Sequence, residues 1–309
     1  MNPKIKKIIF LDTIFFSFAV LFFVISYFFS GEIIHFKIRG LEEDRINNKI
    51  ESFQTFQLPI PKEIIFKNDT VTLNAWYFKN PQSKNCGVVL LHGFTGTRWA
   101  ALKYAPIFWK RGCDIFTYDH RRHGESSGEF GTFGFYEKFD LIKGTEIFSE
   151  ISNLPFERIG VLGESYGAAT AILAAGKGQK FAFVIAESSY KDFKSIVAKQ
   201  GVDIYGPVVN LFVPMALIIA SNRGNFDSDD VNPYLYAKSI QVPILFIHSK
   251  ADKYTPYQHS EEIFSQVPGN NKMLVITDWN SNHGRSVNDN FPKFEEIVGN
   301  FLRKFVPNY

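Results

Sequence analysis

Only two of the 309 residues are cysteine, Cys86 and Cys113, so the chain can hold one disulfide at most. Charge of a single sign is equally scarce in any concentrated form. The formal net charge is +3. With residues 1–30 set aside, basic and acidic residues nearly balance, which removes the electrostatic case for a nucleic-acid partner. There is no low-complexity stretch and no repeat of fixed period. Gly176 and Lys177 lack the preceding glycine and following hydroxyl of a phosphate loop, and His120 and His123 have no third metal ligand beside them. What the chain does have is a hydrophobic share of 45%, ample for one sizeable core.

Residues 8–29 are predominantly apolar and carry a single charge, Asp12. At about 1.5 Å of rise per residue, a helix of this length crosses a hydrocarbon layer of roughly 30 Å. Many of its residues are β-branched or aromatic, but in lipid the need for internal backbone hydrogen bonds outweighs weak helix propensity. A cleaved signal peptide would have a shorter apolar core and a small-x-small cleavage site. Ser30 is small, but Phe28 occupies the −3 position, so an uncleaved single-pass anchor is the favoured reading. Lys4, Lys6 and Lys7 on the N-terminal flank favour a cytoplasmic N-terminus, with the rest of the chain on the extracytoplasmic side; Lys37, Arg39 and Arg45 beyond the other end weaken that bias.

The expected organisation is an anchor over residues 1–30, a connector over 31–60 with no sustained periodicity, and one globular domain over 61–309. Residues 63–66 and 71–78 read as a hairpin around an Asn68–Asp69 turn. Short continuous apolar runs recur at 87–91, 114–118, 159–162, 181–186, 243–247 and 273–276, as expected for strands of a parallel sheet buried on both faces. Helical patterns lie between them at 99–110, 136–151 and 166–175. A last one, at 291–305, puts Phe294, Val298, Phe301, Leu302 and Phe305 on one face. The class is α/β with a mostly parallel sheet. Residues 191–240 interrupt the rhythm and contain the apolar stretch 204–220, broken by Pro207 and Pro214. They form a candidate lid, with a pair of ordinary surface helices as the alternative.

Gly163-Glu164-Ser165-Tyr166-Gly167 carries the chemistry. A serine at the apex of a sharp strand-to-helix turn, flanked by glycines that let the backbone close, is an exposed nucleophile. The pentapeptide alone is a weak signal, but here it directly follows a strand-like run and opens a helix-like one. A serine hydroxyl needs a base, and the base needs an orienting carboxylate. His283 and Asp252 each follow a strand-like run, at the end of the sheet where such folds assemble sites. Glu187 and Asp278 also follow strands and are the alternatives to Asp252. Backbone N–H groups of Phe94 and Tyr166 are the expected oxyanion donors. His92 reads as a structural hydrogen-bonding residue.

Five blocks in order resemble the α/β-hydrolase superfamily. They are His92-Gly93, Asp119-His120-Arg121-Arg122-His123-Gly124-Glu125-Ser126, the Ser165 turn, the Asp252 loop and the His283 loop. Within it the chain is similar to the membrane-anchored, esterase- or serine-aminopeptidase-like group. The resemblance implies a central, mostly parallel sheet of about eight strands flanked by helices, with a lid after the sixth strand. Arg122 departs from the resemblance, because relatives often carry glycine there, and this puts the local loop geometry in question. The resemblance also makes the strands that begin near Cys86 and Cys113 neighbours, so a disulfide is thinkable, although two small core thiols are the favoured reading. The expected activity is hydrolysis of a carboxylic ester, on a small acyl or lipid substrate, through an acyl-enzyme, with no cofactor and no metal. A serine peptidase or acyl-thioesterase on the same fold is the alternative, and a non-catalytic binding or scaffold protein is the alternative of another class.

Overall fold

In the computed structural model, which describes residues 2–307 and 309, the β-rich runs become eight strands of one sheet. They are β1 (Lys62–Asn68), β2 (Val71–Phe78), β3 (Gly87–Leu91), β4 (Asp114–Tyr118), β5 (Ile159–Glu164), β6 (Val184–Glu187), β7 (Ile244–Ser249) and β8 (Lys272–Thr277). Their spatial order is β1-β2-β4-β3-β5-β6-β7-β8. The first two form the expected antiparallel hairpin, and β2 also meets β4 antiparallel. All later neighbours run parallel. Strands β3, β4, β6 and β7 are buried at every position. That burial is why their sequences are continuous apolar runs rather than alternating ones. Edge strand β1 instead leaves Ile65 on the surface.

The helices are α1 (Pro3–Ile34), α2 (Leu41–Asn47), α3 (Arg98–Ala101), α4 (Ala105–Trp109), α5 (Glu137–Ser152), α6 (Tyr166–Gly176), α7 (Phe193–Tyr205), α8 (Val213–Gly224), α9 (Pro233–Tyr236), α10 (Gln258–Gln266), α11 (Ser286–Asp289) and α12 (Phe291–Phe305). One face of the sheet is covered by α5, α6 and α10 through Leu141, Phe148, Ala171, Ile172 and Ile263. The other is covered by α4 and α12 through Ile107, Phe108, Phe294, Val298 and Phe301. The helix expected at 99–110 is split into α3, a 3-10 turn and α4. Pro106 lacks the N–H that a continuous helix would use and restricts the residue before it. The sixth strand begins at Val184 rather than 181, because Ala182 is still approaching β5, bonding Ile159 O at 2.9 Å.

Helix α1 is long and apolar enough to cross a membrane. Its last turns do not stand free of the domain. Ser26, Ser30 and Ile34 are buried, and Ile34 joins a cluster with Leu173 of α6, Phe193 and Ile196 of α7 and Leu217 of α8. Residues 31–60 likewise lie against the domain. Phe36, Ile50 and Leu58 are buried, and the carboxylate of Asp44 accepts hydrogen bonds from Thr97 N and Thr97 Oγ1, both at 2.9 Å. Between β6 and β7, after the sixth strand, α7, a 3-10 segment (Pro207–Leu211) and α8 form a helical insertion. It breaks where Gly206-Pro207 and Pro214 fall, as proline geometry requires.

The two cysteines correct the free-thiol reading. Cys86 and Cys113 form a disulfide, with their Cα atoms 4.6 Å apart. Strands β3 and β4 lie side by side with Gly87 opposite Asp114, so the residues just before them sit in lateral register. Closing a loop of 27 residues restricts the unfolded chain, and the Cys86→Ser/Cys113→Ser protein is expected to lose about 3 kcal/mol. Urea unfolding of the two forms measures this, and equal midpoints would show that the bond contributes nothing.

Candidate active site

Ser165 sits between β5 and α6 with φ 51° and ψ −107°. This left-handed backbone costs a residue with a Cβ about 1–2 kcal/mol. The turn is held by Ser165 N donating to Glu187 O at 2.8 Å and by Ala169 N donating to Ser165 O at 2.9 Å. It also needs its glycines. A Cβ on Gly163 would run into the backbone of Gly167, and one on Gly167 would run into Leu91 and the carbonyl of His92. The sharp turn and the close passage of α6 past the end of β3 are thus one constraint.

Ser165 borders a cavity of about 230 Å³. Phe94 and Tyr166 border it too, so the two expected oxyanion donors and the serine meet at the same space. Tyr166 is the first residue of α6, where the N–H has no intrahelical acceptor. The loop carrying Phe94 is braced by buried histidines. His123 Nδ1 lies 3.0 Å from Arg121 O and so carries the proton, which leaves Nε2 to accept from Thr95 N at 3.3 Å. His92 works the same way, with Nδ1 donating to Gly93 O and Nε2 accepting from His120 N. Burial keeps these rings neutral, pushing His123 down to about 4 and His120 to about 3. The structural role expected of His92 is therefore shared by His123.

Asp252 and His283 come together as expected, with His283 Nδ1 2.7 Å from Asp252 Oδ2. That bond puts the proton on Nδ1 and leaves Nε2 as the basic nitrogen. The Asp252 carboxylate is saturated with donors: Tyr254 N and Thr255 N reach Oδ1 at 2.9 Å each, and His248 Nε2 lies 3.2 Å from Oδ2. Burial works to raise its pKa, but the bonds from His248, His283 and Thr255 outweigh burial and hold the carboxyl well below the usual range. The alternatives are otherwise occupied. Glu187 accepts from Tyr104 OH and from Ser286 N, and Asp278 is exposed. Ser165 Oγ makes no hydrogen bond to His283 among the described residues. Tyr254 borders the Ser165 cavity and lies against the His283 ring, tilted, with centroids 4.7 Å apart.

Several supporting residues carry no sequence signal of their own. Lys103 Nζ reaches both Glu164 Oε2 (2.5 Å) and Gly284 O (2.6 Å), tying the serine turn to the histidine loop. Buried Glu137 accepts from Tyr166 OH (2.6 Å), Gly134 N (2.7 Å) and both Thr132 donors, which fixes the Tyr166 ring under the cavity. Arg122, the departure from the resemblance, has φ 62°, which accounts for glycine being common there. Its guanidinium donates to Glu129 O at 3.0 Å and Phe36 O at 3.2 Å, so the loop is tied to the segment following α1.

Residues 131–307 match the prolyl oligopeptidase family. The chain belongs to this family. The Bacillus subtilis protein YqkD is 34% identical over 230 residues, spanning 73% of this chain and 74% of that one. A Saccharomyces cerevisiae protein named as a membrane protein, YNL320W, is 22% identical over 260 residues, spanning 82% and 84%. Among solved structures, the Pyrococcus furiosus esterase Pf2001 superposes with a TM-score of 0.66 at 23% identity, covering 82% of this chain and 95% of its own; at that identity the likeness speaks to fold. This prolyl oligopeptidase family member is a serine hydrolase with an α/β-hydrolase fold.

Gly284 has φ 62°, and a Cβ there would collide with the Glu164 carboxylate. Gly284→Ala is expected to displace the histidine loop and to lower kcat by roughly tenfold or more while the fold persists. Steady-state kinetics alongside circular dichroism measures this; an unchanged kcat would separate that loop from the chemistry.

Proposed function

We propose that the protein is a membrane-anchored serine esterase in which Ser165, His283 and Asp252 act as the triad and the Phe94 and Tyr166 amides form the oxyanion hole. The observation that supports this reading is the meeting of a strained serine with Phe94 and Tyr166 at one largely apolar cavity. His283 Nε2 takes the proton as Ser165 Oγ bonds to the ester carbonyl carbon, and Asp252 stabilises the imidazolium. The oxyanion collapses, the ester C–O bond breaks, and His283 returns the proton to the departing alcohol. Water, deprotonated by His283, then attacks the acyl-enzyme, releasing the carboxylic acid and restoring Ser165.

The cavity walls favour an acyl chain over a peptide. Phe29, Ile33, Phe133, Ile196, Val209 and Val213 border it, and the amides of a peptide would lose water there without gaining partners. The family match favours a second reading, a serine peptidase with the same machinery. Helix α1 is assigned as the single membrane span, with residues 61–309 on the extracytoplasmic side behind the lysine-rich tip. The Cys86–Cys113 disulfide supports that side, since such bonds persist in oxidising compartments.

A fluorophosphonate is expected to label the full chain on Ser165, and Ser165→Ala is expected to abolish both label and turnover. Asp252→Asn is expected to lower kcat by about 10⁴. Persistent labelling of Ser165→Ala would overturn the nucleophile, and an unlabelled, folded wild type would move the binding-protein reading forward. On p-nitrophenyl esters, octanoate should exceed acetate in kcat/KM by roughly tenfold or more. Equal handling of aminoacyl arylamides and octanoate would point to the peptidase.

A further inference from the structure

The insertion between β6 and β7 contains no charged side chain from residue 204 to residue 222. Its inward residues, Val209 and Val213, border the Ser165 cavity. Its outward residues are also apolar: Val208, Leu211 and Ile218 are 65%, 68% and 56% exposed. A surface of that kind on a water-bathed lid is costly and marks a site of contact.

Its position along α1 identifies the contact. The Phe212 ring lies against Phe22 at 5.2 Å and Phe29 at 6.0 Å, and Tyr205 lies against Phe29 at 5.0 Å. Phe22 and Phe29 are two turns apart, about 10 Å along the helix axis. Both belong to the apolar stretch 8–29, whose outward side chains are themselves exposed. At the far end of α8, Arg223 donates to Ser30 Oγ at 2.8 Å and covers the Tyr27 ring at 4.6 Å. So α8 begins beside the membrane-spanning stretch and ends, at its first charge, where α1 leaves that stretch. An arginine and a tyrosine at this level are what a lipid–water boundary selects. The lid surface is therefore continuous with the lipid-facing surface of α1.

We propose that the segment from Ile204 to Ile218 is immersed in the adjacent leaflet beside α1, and that the substrate is an amphiphilic long-chain acyl ester that reaches Ser165 from the bilayer without crossing water. This rests on the esterase and anchor assignments above. Phe29 and Ile33 of α1 and Ile204, Val209 and Val213 of the lid all border the Ser165 cavity, so a chain leaving the lipid would meet apolar side chains from both elements on its way to the serine.

The test uses the full chain in phosphatidylcholine vesicles, with 4-methylumbelliferyl oleate in the bilayer and p-nitrophenyl acetate in the water. Val208 and Leu211 do not border the cavity. Val208→Glu/Leu211→Glu is expected to lower oleate turnover roughly tenfold or more, because the charges oppose immersion, while acetate turnover stays within about twofold. Equal effects on the two substrates, or none, would overturn the proposal. A spin label on Leu211→Cys gives an answer that does not depend on activity, since both native cysteines are bonded to each other. That label should be reached better by oxygen than by a water-soluble nickel chelate, and one on Ile65→Cys, at the exposed sheet edge, should show the reverse. Like behaviour at the two positions would overturn immersion. If acetate turnover survives Ser165→Ala, the esterase assignment fails instead, and the label result stands by itself.

Discussion

Everything in the site is built around a backbone that would not choose its own conformation. Ser165 is held at positive φ because β5 delivers it against the end of β3 and α6 must begin at once. The contact between Gly167 and the Leu91–His92 backbone leaves no room for a gentler turn. That same approach brings the Phe94 loop to the cavity that Ser165 and Tyr166 border. The cost of the turn is offset by the sheet itself, since Ser165 N bonds the β6 carbonyl of Glu187. Burial of the sheet's two faces thus stabilises a local geometry that local forces oppose.

The second level of organisation consists of buried ions that join loops from distant parts of the chain. Lys103 links the serine turn to Gly284, Glu187 holds Tyr104 and Ser286, and Glu137 holds Tyr166 and the 132–134 turn. Each carboxylate accepts from several donors, which is the condition under which burying a charge is tolerable. Such links fix the relative orientation of the loops that carry Ser165, Asp252 and His283.

The sheet, the serine turn and the Asp252–His283 pair were legible in the sequence because each has a local signature. Buried parallel strands are continuous apolar runs, the turn needs glycines at fixed spacing, and Asp252 and His283 each follow a strand. The α12 stripe was legible for the same reason, as a period of 3.6. What was not legible depends on contacts between residues far apart. Asp44 with Thr97, Ser30 with Arg223 and Glu137 with Tyr166 have no pattern until the fold brings them together. The disulfide belongs here too, because only the β3–β4 register decides between bonded and free thiols. His248 stands just past the 243–247 run and belongs to no motif in the sequence. Only in three dimensions does it stand behind Asp252, with Ser260 and Thr255 fixing its ring.

Helix α1 has a consequence for how the protein is divided into parts. Phe29 and Ile33 belong to it, yet they border the same cavity as Ser165, and Phe36 just beyond accepts from Arg122 through its carbonyl. Tether and enzyme are therefore not separable modules. A fragment trimmed of the helix for solubility would lose one side of the cavity and a brace of the Arg122 loop, leaving a different, more open cleft. The shape of that cavity is thus written partly in residues whose composition would assign them to lipid alone.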